Sequence, residues 1–271
     1  FALKCTRKEH EGFKSKEIEH EVGKFIDKEV NLSKPTSLIE IEIVKDIAIV
    51  SIDYTGFKLS KRDYRIKTLP VSINACLAFA LIKIAEWKPF ETLLDPFAKS
   101  GEITIEAALY GRNIPLGKHI KNKFQFNKFI SYDFPENINN EKLKIYSIDP
   151  LHHNVRSMEL NSKLAEVNKD LHFSRTDAEW LDLKLKEREI DKIISAIPYP
   201  SQHHSEKEID KLYTELFHQA DYILKRRGTM TLLTQKPEAL KKYIKGFRIR
   251  KEINFKIGNQ KNTILLLKKN I

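Results

Sequence analysis

From Thr92 onward, short apolar segments alternate with amphipathic ones, and this alternation constrains the fold more than any other feature of the chain. Apolar strands separated by amphipathic helices predict a mostly parallel sheet that helices cover on both faces. The last two apolar segments lie close enough to pair as an antiparallel hairpin, with Gly258-Asn259 near its turn. The sequence therefore predicts a doubly wound α/β domain with seven strands, of which the last pair is antiparallel. The predicted elements, in order, are strand TLLDPF, helix 101–111, strand KIYSID, helix 151–166, strands LHFSRTDA and DKIISAI, helix 206–225, strand TMTLLTQ, helix 237–245, and strands FRIRKEINFKI and NTILLLKK.

The N-terminal residues follow a different pattern and predict a second, smaller α/β unit. Strand-like alternation and helix-like spacing of apolar residues occur there in turn. The expected elements are a strand over 1–7, a helix that Ser15 caps and whose apolar residues run to Ile26, and paired strands over 38–44 and 47–54. A unit of this size buries too little apolar surface to be comfortably stable by itself.

Two further stretches have a distinct character. A polar connector at 55–67, TGFKLSKRDYRIK, is rich in basic and aromatic side chains. It leads to an apolar helix that Pro70 is expected to open and that runs to about Trp87. Residues 112–141 fit neither period and predict a long insertion, which is often functional when it is ordered.

The chain carries a large surplus of positive charge. Its 48 lysines and arginines against 37 aspartates and glutamates give a formal net charge of +11. Such a surplus favours a polyanionic partner, because each neutralised phosphate releases condensed counterions. A lysine-rich surface that serves solubility is the alternative interpretation.

The sequence also argues against several classes of protein. Its longest apolar run, 75–82, spans eight residues, against roughly 20 needed to cross a bilayer, so we expect a soluble protein with no membrane span. Cys5 and Cys76 show no CxxC spacing, which favours a reducing compartment such as the cytoplasm and argues against structural zinc. His203-His204 has no carboxylate or thiol partner at ligand spacing, so no metal is expected. Because the chain starts at Phe1, within a predicted strand, we expect a further segment to precede it.

Aspartates fall at the ends of three predicted strands, where an open parallel sheet binds its ligands. Asp149 is placed to accept hydrogen bonds from both hydroxyls of a ribose, and Asp177 lies within reach of an adenine amino group. Each could instead cap the helix that follows, but together with Asp95 they predict a nucleoside site. A nicotinamide dinucleotide fold is disfavoured, because residues 95–102 contain one glycine where GxGxxG would be needed.

The fourth strand of this domain ends in Ser195-Ala196-Ile197-Pro198-Tyr199-Pro200. This Pro-Tyr strand end, with the order of elements, resembles the class I S-adenosylmethionine-dependent methyltransferases that modify exocyclic amino groups of bases. The N-terminal region is similar to the THUMP module and linker of the tRNA guanine-N2 methyltransferases. The segments that carry this second similarity are Phe13-Lys14-Ser15, Asp53-Tyr54-Thr55-Gly56 and Lys61-Arg62-Asp63-Tyr64-Arg65.

The resemblance covers essentially the whole chain and implies a domain organisation. It implies the C-terminal part of a THUMP domain at 1–56, a linker and leading helix at 57–90, and a Rossmann-like methyltransferase domain at 91–271. It also implies S-adenosylmethionine as cofactor and tRNA as partner. The residues that match the cofactor-binding positions of the family are Asp95, Phe97, Ser100, Gly101, Asp149 and Asp177.

The same family suggests how the base would be held. An Asn or Asp side chain and a backbone carbonyl accept the two protons of the guanine amino group, while an aromatic ring stacks on the extruded base. Tyr199 matches the stacking residue, and Pro198 matches the proline that stiffens the turn. Basic side chains interleaved with aromatic ones suit a folded RNA. The RNA-binding candidates are Arg62, Tyr64, Arg65 and Lys67.

Three positions depart from the family pattern. Ala196 stands where the family has Asn or Asp, and the loss of such a polar contact costs about 10²–10³ in rate. Ser195 does not replace it, because strand alternation points the serine to the opposite face. Lys99 replaces a glycine in the cofactor loop, unless it lies in a solvent-facing turn. Glu102 replaces a threonine near the cofactor carboxylate, unless it simply favours the first turn of a helix.

These departures leave two functions open. The first is N2-methylation of a guanosine in tRNA with S-adenosylmethionine. The second is a catalytically inactive pseudo-methyltransferase that acts as an RNA-binding or scaffold protein. An unrelated nucleotide-dependent enzyme on the same fold is a third, more distant interpretation.

Overall fold

The computed structural model describes residues 1–9, 12–70, 72–115, 124–132, 137–202 and 204–270. The chain forms two compact units. The first unit comprises residues 1–59 with 115–136, and the second unit comprises residues 60–114 with 137–271. Most of the stretch predicted as an insertion therefore belongs to the first unit, although it lies within the second in sequence.

The first unit contains a three-stranded sheet. Strand β1 (Ala2–Lys8) pairs in parallel with β2 (Leu38–Val44), and β2 pairs antiparallel with β3 (Ile47–Asp53). Lys45, in the tight turn between β2 and β3, adopts φ +55°. The three strands predicted for this region are confirmed.

The helix of the first unit, α1 (Ser15–Gly23), is shorter than predicted. Its N-cap is Lys14 rather than Ser15, and the Glu17 carboxylate accepts a hydrogen bond from the Lys14 backbone N–H at 3.0 Å. Phe25 and Ile26 lie beyond its last residue, and Phe25 is 88% exposed. The predicted helix is too long because apolar spacing alone does not show whether an apolar residue is packed against the rest of the protein.

Residues 124–132 attach to the chain just after β3. The backbone N–H of Gln125 donates to the Thr55 carbonyl at 3.1 Å, and the Phe124 ring centroid lies 5.1 Å from that of Phe57. Backbone hydrogen bonds and aromatic contacts fix this segment, which explains why its sequence shows neither helical nor strand periodicity.

The second unit contains a seven-stranded sheet in the order β6-β5-β4-β7-β8-β10-β9. Neighbours from β6 to β8 pair in parallel, while β10 pairs antiparallel with both β8 and β9. The predicted mostly parallel sheet with an antiparallel final pair is confirmed. The strands are β4 (Leu93–Asp95), β5 (Ile145–Asp149), β6 (Leu171–Arg175), β7 (Ile190–Ala196), β8 (Leu224–Thr234), β9 (Phe247–Ile257) and β10 (Gln260–Lys269).

Helices accompany this sheet at roughly the predicted places. They are α2 (Ala75–Ile84), α3 (Glu102–Gly111), α4 (His152–Leu164), α5 (Glu206–Ile223) and α6 (Pro237–Lys241). The prediction that Pro70 opens α2 is wrong, because the N-cap is Asn74, whose side chain accepts from the Cys76 N–H at 2.7 Å. Among the described helices, none is both long enough and apolar enough to cross a bilayer.

Apolar residues of the sheet alternate between two buried clusters. Leu94 and Ile193 lie in one cluster with residues of α5, while Leu93 and Ile194 lie in the other with residues of α2 and α3. Burial on both faces is typical of parallel strands, and β4 pairs in parallel with both β5 and β7. The carboxyl ends of β4, β5 and β7 therefore meet at one edge, where the candidate site lies.

Candidate cofactor and substrate site

The loop between β4 and α3, residues 95–102, is folded tightly against its neighbours. Gly101 adopts φ +87°, and a Cβ there would lie 2.8 Å from the Cβ of Met158, so the position requires glycine. The N–H of Ala98 donates to the Ile148 carbonyl at 2.9 Å, which ties the loop to β5. We refer to this segment as the β4–α3 loop.

Asp95, the last residue of β4, is almost fully buried. Its Oδ1 accepts hydrogen bonds from the Ser195 hydroxyl at 2.6 Å and from the Phe97 N–H at 3.1 Å. Burial nevertheless raises the pKa of Asp95 to about 7. Ser195 thus points away from the position that Asn or Asp occupies in the family, as strand alternation predicted.

Asp149, the last residue of β5, is also buried and has several partners. Its Oδ1 accepts from the Leu151 N–H at 3.0 Å and from the Asn154 amide at 2.8 Å, and its Oδ2 accepts from the Lys99 N–H at 3.0 Å. The other atom of that amide, Asn154 Oδ1, is buried with no partner among the described residues. An unpaired buried acceptor beside a carboxylate suits a ligand rich in hydroxyl or amino donors, such as a nucleoside.

Asp177 lies two residues beyond β6 and is exposed. Its side chain accepts from the Glu179 N–H at 3.3 Å and caps a short 3₁₀ helix, Ala178–Leu183. Asp177 therefore caps the helix that follows it through Oδ1, and its Oδ2 is placed to accept from a ligand.

Lys99 lies in the β4–α3 loop at φ +53°, which explains why a glycine would suit the position. Its side chain is partly buried, and Nζ donates to the backbone carbonyl of Ala196 at 3.1 Å. Burial lowers the pKa of this ammonium, while the carboxylates of Asp95, Asp149 and Glu102 act in the opposite direction. The interpretation of Lys99 as part of a solvent-facing turn is therefore wrong. Lys99 and Ala196, two of the residues that depart from the family pattern, are in direct contact.

Glu102 lies in the first turn of α3, as one of the two interpretations expected, and its charge is compensated there. It is 3% exposed, accepts from the Ser100 hydroxyl at 2.8 Å and pairs with Arg65 at 3.1 Å. Ser100 also contacts the Ser72 hydroxyl. The guanidinium of Arg65 therefore offsets the repulsion that the sequence predicted between Glu102 and a cofactor carboxylate.

The predicted RNA-binding residues of the connector lie mostly in the interior. Arg62 pairs with the buried Glu106 at 2.8 Å, and the hydroxyl of the buried Tyr64 donates to the same carboxylate at 2.8 Å. These contacts, with the Arg65 pair, correct the expectation of an exposed basic surface, because the two guanidiniums and the phenol already bind carboxylates of α3. Lys67 is exposed.

The end of β7 carries the residues that match the base-binding positions. Ala196 and Ile197 are buried, while Pro198 and Tyr199 are half-buried. The Tyr213 hydroxyl donates to the Pro198 carbonyl at 2.7 Å and holds the turn. A cleft of about 490 Å³ begins at the next residue; it is lined by Pro200, Ser201, His204, Gln235, Lys236 and Glu238, among others.

Sequence reasoning missed two asparagines of α4. Asn154 is the partner of Asp149, and the fully buried Asn161 donates to the carbonyls of Lys67 at 2.8 Å and Ser100 at 3.1 Å. For Asn161 the signal was an asparagine inside an amphipathic helix, where this residue type is disfavoured, whereas Asn154 lies in the first turn of α4 and gave no such signal. Within the described ranges, no group of three or more His, Cys, Asp or Glu side chains is placed to hold a metal ion.

Comparison with protein families gives two matches. Residues 62–263 match the UPF0020 family, an RMKL-like methyltransferase domain, and residues 1–53 match the THUMP domain. Both matches agree with the resemblances noted in the sequence.

Individual proteins of known name are similar over most of the chain. The tRNA (guanine(6)-N2)-methyltransferase of Methanocaldococcus jannaschii is 32% identical, with 98% of this chain and 75% of the relative covered. The enzyme of the same name from Archaeoglobus fulgidus is 28% identical over 86% of this chain, which spans 60% of that relative. The crystal structure of TrmN from Thermus thermophilus has a TM-score of 0.76 at 24% identity, covering 99% of this chain and 72% of the other. SMU.472, solved with SAH, has a TM-score of 0.81 at 22% identity over 100% of this chain and 75% of the other. These two structures share the fold.

Proposed function

The chain belongs to the RMKL-like methyltransferase family, and we propose that it methylates the N2 atom of a guanosine in tRNA. The observation that supports this proposal is the convergence of the Asp149–Asn154 pair and the Pro198-Tyr199 turn at one edge of the sheet. The first group suits a nucleoside cofactor and the second an extruded base. The similarity to tRNA (guanine(6)-N2)-methyltransferases over nearly the whole chain supports the choice of substrate.

Membership of this family implies S-adenosylmethionine as the cofactor, which supplies an electrophilic methyl group on a sulfonium centre. The residues of this chain fit its nucleoside part. The unpaired Asn154 Oδ1 and the Asp149 carboxylate are acceptors for hydroxyl or amino donors, and Asp177 offers another carboxylate at the neighbouring strand. The β4–α3 loop fits the methionyl part of the cofactor less well, because the Lys99 side chain extends from this loop to the Ala196 carbonyl.

The base would be held at the end of β7. Tyr199 would stack on it, as the family pattern implies. The carbonyl of Ala196 accepts from Lys99, and that of Pro198 accepts from Tyr213, so we assign the Ile197 carbonyl between them as the acceptor for the amino group. An amino group held through its proton would turn its lone pair toward the methyl group; the N–C bond would form as the S–C bond of the sulfonium breaks, a neutral thioether would leave, and a proton would pass to solvent. The cleft that begins at Pro200 would take the flanking nucleotide.

The RNA surface would rely on exposed basic residues. Lys67 in the connector keeps this role, while the buried guanidiniums of Arg62 and Arg65 support the loop that carries it. The formal charge of +11 supports binding to a polyanion that weakens steeply with salt. Other exposed candidates in the second unit are Arg226, Arg227, Lys242 and Lys245. A tRNA substrate and two free cysteines favour a cytoplasmic location.

One observation favours a second candidate function. Ala196 offers no side-chain acceptor, and its carbonyl is occupied by Lys99. A protein with this site could bind tRNA with the family fold and transfer no methyl group. The pseudo-methyltransferase is therefore the alternative to be tested against methyl transfer.

Incubation with methyl-labelled S-adenosylmethionine and unmodified tRNA, followed by nucleoside analysis, separates the two. We expect N2-methylguanosine from the natural chain, and turnover about 10²–10³ higher in Ala196→Asn, because the amide restores a preorganised acceptor. Ala48→Asn, the same change at an exposed position of β3, is the matched control and should leave turnover unchanged.

The outcomes discriminate clearly. Label in Ala196→Asn with none in the natural chain would identify a pseudo-methyltransferase. No label in either protein, under conditions where the M. jannaschii relative labels the same tRNA, would contradict the proposed activity.

A further inference from the structure

Lys99 differs from every other described residue with comparable backbone geometry. Seven non-glycine residues among the described ranges have positive φ, and the other six, Glu9, Lys45, Glu86, Asn113, Glu166 and Arg188, are all exposed. Lys99 alone among the seven is partly buried. A left-handed conformation costs a residue with a Cβ some free energy, so contacts of its side chain and backbone must hold it there.

Two such contacts lie at opposite ends of the residue. The backbone N–H donates to Asp149 Oδ2 at 3.0 Å, and Nζ donates to the Ala196 carbonyl at 3.1 Å. The lysine therefore spans from the end of β5 to the end of β7, across the end of β4 between them. A charge-assisted hydrogen bond to a carbonyl in a partly buried place is of the stronger kind.

The charges around Lys99 explain why a cation is tolerated there. The carboxylates of Asp95, Asp149 and Glu102 all stabilise its charged form. Glu102 also has Arg65 as a partner, whereas Asp95 and Asp149 have the hydrogen-bond donors already described. The carboxylates at this edge of the sheet, between β5 and β7, therefore favour a positive charge, and the ammonium of Lys99 supplies it.

We propose that Lys99 is an internal cation that competes with the positively charged methionyl part of the cofactor and so sets the ligand preference of this site. This inference rests on the proposed function only in its use of the same cofactor site. At the nucleoside end of the site, the Asp149 carboxylate and the Asn154 Oδ1 would accept hydrogen bonds from any adenosyl ligand. The ammonium of Lys99 selects against ligands with a positive charge at the transfer position and in favour of those that lack it.

The test is the binding of three probes, measured by calorimetry without any turnover. S-adenosylmethionine has a sulfonium and sinefungin an ammonium at the transfer position, whereas S-adenosylhomocysteine is uncharged there. The natural chain should bind S-adenosylhomocysteine at least about tenfold more tightly than either charged probe, the order of effect expected for two like charges near a protein surface.

Two variants separate charge from bulk. Lys99→Met keeps the length of the side chain without the charge, and should raise affinity for both charged probes by about tenfold while changing that of S-adenosylhomocysteine by less than about threefold. Lys99→Gly also removes the bulk, and should raise affinity for all three probes further. Lys45→Gly, which removes a lysine at φ +55° from an exposed turn, is the matched control and should change none of them.

Equal affinities for the three probes in the natural chain, or unchanged affinities in Lys99→Met, would overturn the proposal. So would a failure of all proteins, including Lys99→Gly, to bind any probe. Circular dichroism of each variant establishes that it is folded. If binding follows the expected pattern while tRNA is never methylated, the role of Lys99 stands and the proposed activity is contradicted.

Discussion

Two clusters of buried charge in the second unit differ in the groups that their cations contact. In the first, which we call the structural cluster, Arg62 and Arg65 neutralise Glu106 and Glu102, and Tyr64 donates to Glu106. In the second, the site cluster of Asp95, Lys99 and Asp149, the ammonium donates to a neutral carbonyl and one carboxyl has a pKa raised to about 7.

This difference separates structural from functional charge. Buried ions that pair with one another stabilise the folded chain only while both partners are present. A buried carboxyl with a raised pKa, such as that of Asp95, is instead typical of a functional site, because shifted pKa values concentrate there. Members of both clusters lie close together in sequence, in the β4–α3 loop or in α3. Sequence position therefore does not show which cluster is structural and which is functional.

The largest expected effect comes from opening the structural cluster. Glu106→Ala leaves the Arg62 guanidinium, with 8% of its side chain exposed, without its carboxylate, and should lower the free energy of unfolding by about 3–5 kcal/mol. Urea denaturation followed by circular dichroism measures this. Glu238→Ala, which breaks the exposed pair with Lys241, is the control and should cost less than about 1 kcal/mol. Equal losses in the two variants would contradict the distinction.

A smaller, pH-dependent effect is expected in the site cluster. In the unfolded chain Asp95 loses its proton near pH 3.8, whereas in the folded chain its pKa is about 7. Stability from this group is therefore fully present below pH 3.8 and is lost as the pH rises to about 7. Asp95→Asn removes that loss, so its stability relative to the natural chain should increase by roughly 2–4 kcal/mol from pH 4 to pH 8. Urea midpoints at several pH values measure it, and parallel pH profiles for the two proteins would exclude it.

The smallest effect concerns a single hydrogen bond of the structural cluster. Burial, together with the Glu106 carboxylate, raises the pKa of the Tyr64 phenol, which therefore stays protonated and donates. Tyr64→Phe should cost about 1 kcal/mol in the free energy of unfolding. Tyr222→Phe, at a tyrosine that is 44% exposed, provides the comparison and should change stability by less than about 0.5 kcal/mol. A loss of several kcal/mol at Tyr64 would mean that the phenol, rather than Arg62, holds the carboxylate.

The sequence predicted the strands better than the ends of the helices. Alternation and apolar runs place each strand of the large sheet, because strand patterns report burial directly. Helix ends depend on caps: α2 begins five residues after Pro70, at Ala75, with Asn74 as its N-cap, and α1 stops before Phe25. A cap is a local hydrogen bond between a side chain and the backbone, and residue type alone does not reveal which of several polar residues makes it.

Among the site residues, the strand pattern predicted that Asp95 and Asp149 end strands, and the family resemblance identified Ala196 and Lys99 as departures. The packing of distant segments fixed what these residues contact. Lys99 meets Ala196 across 97 residues of sequence, and Arg62 meets Glu106 across 44. Periodicity is a property of consecutive residues and is therefore visible in the chain. The partner of a charged side chain is fixed only when distant segments pack together. For this reason the arginines predicted to bind RNA instead pair with carboxylates of α3, and Lys99 lies where it can influence ligand binding.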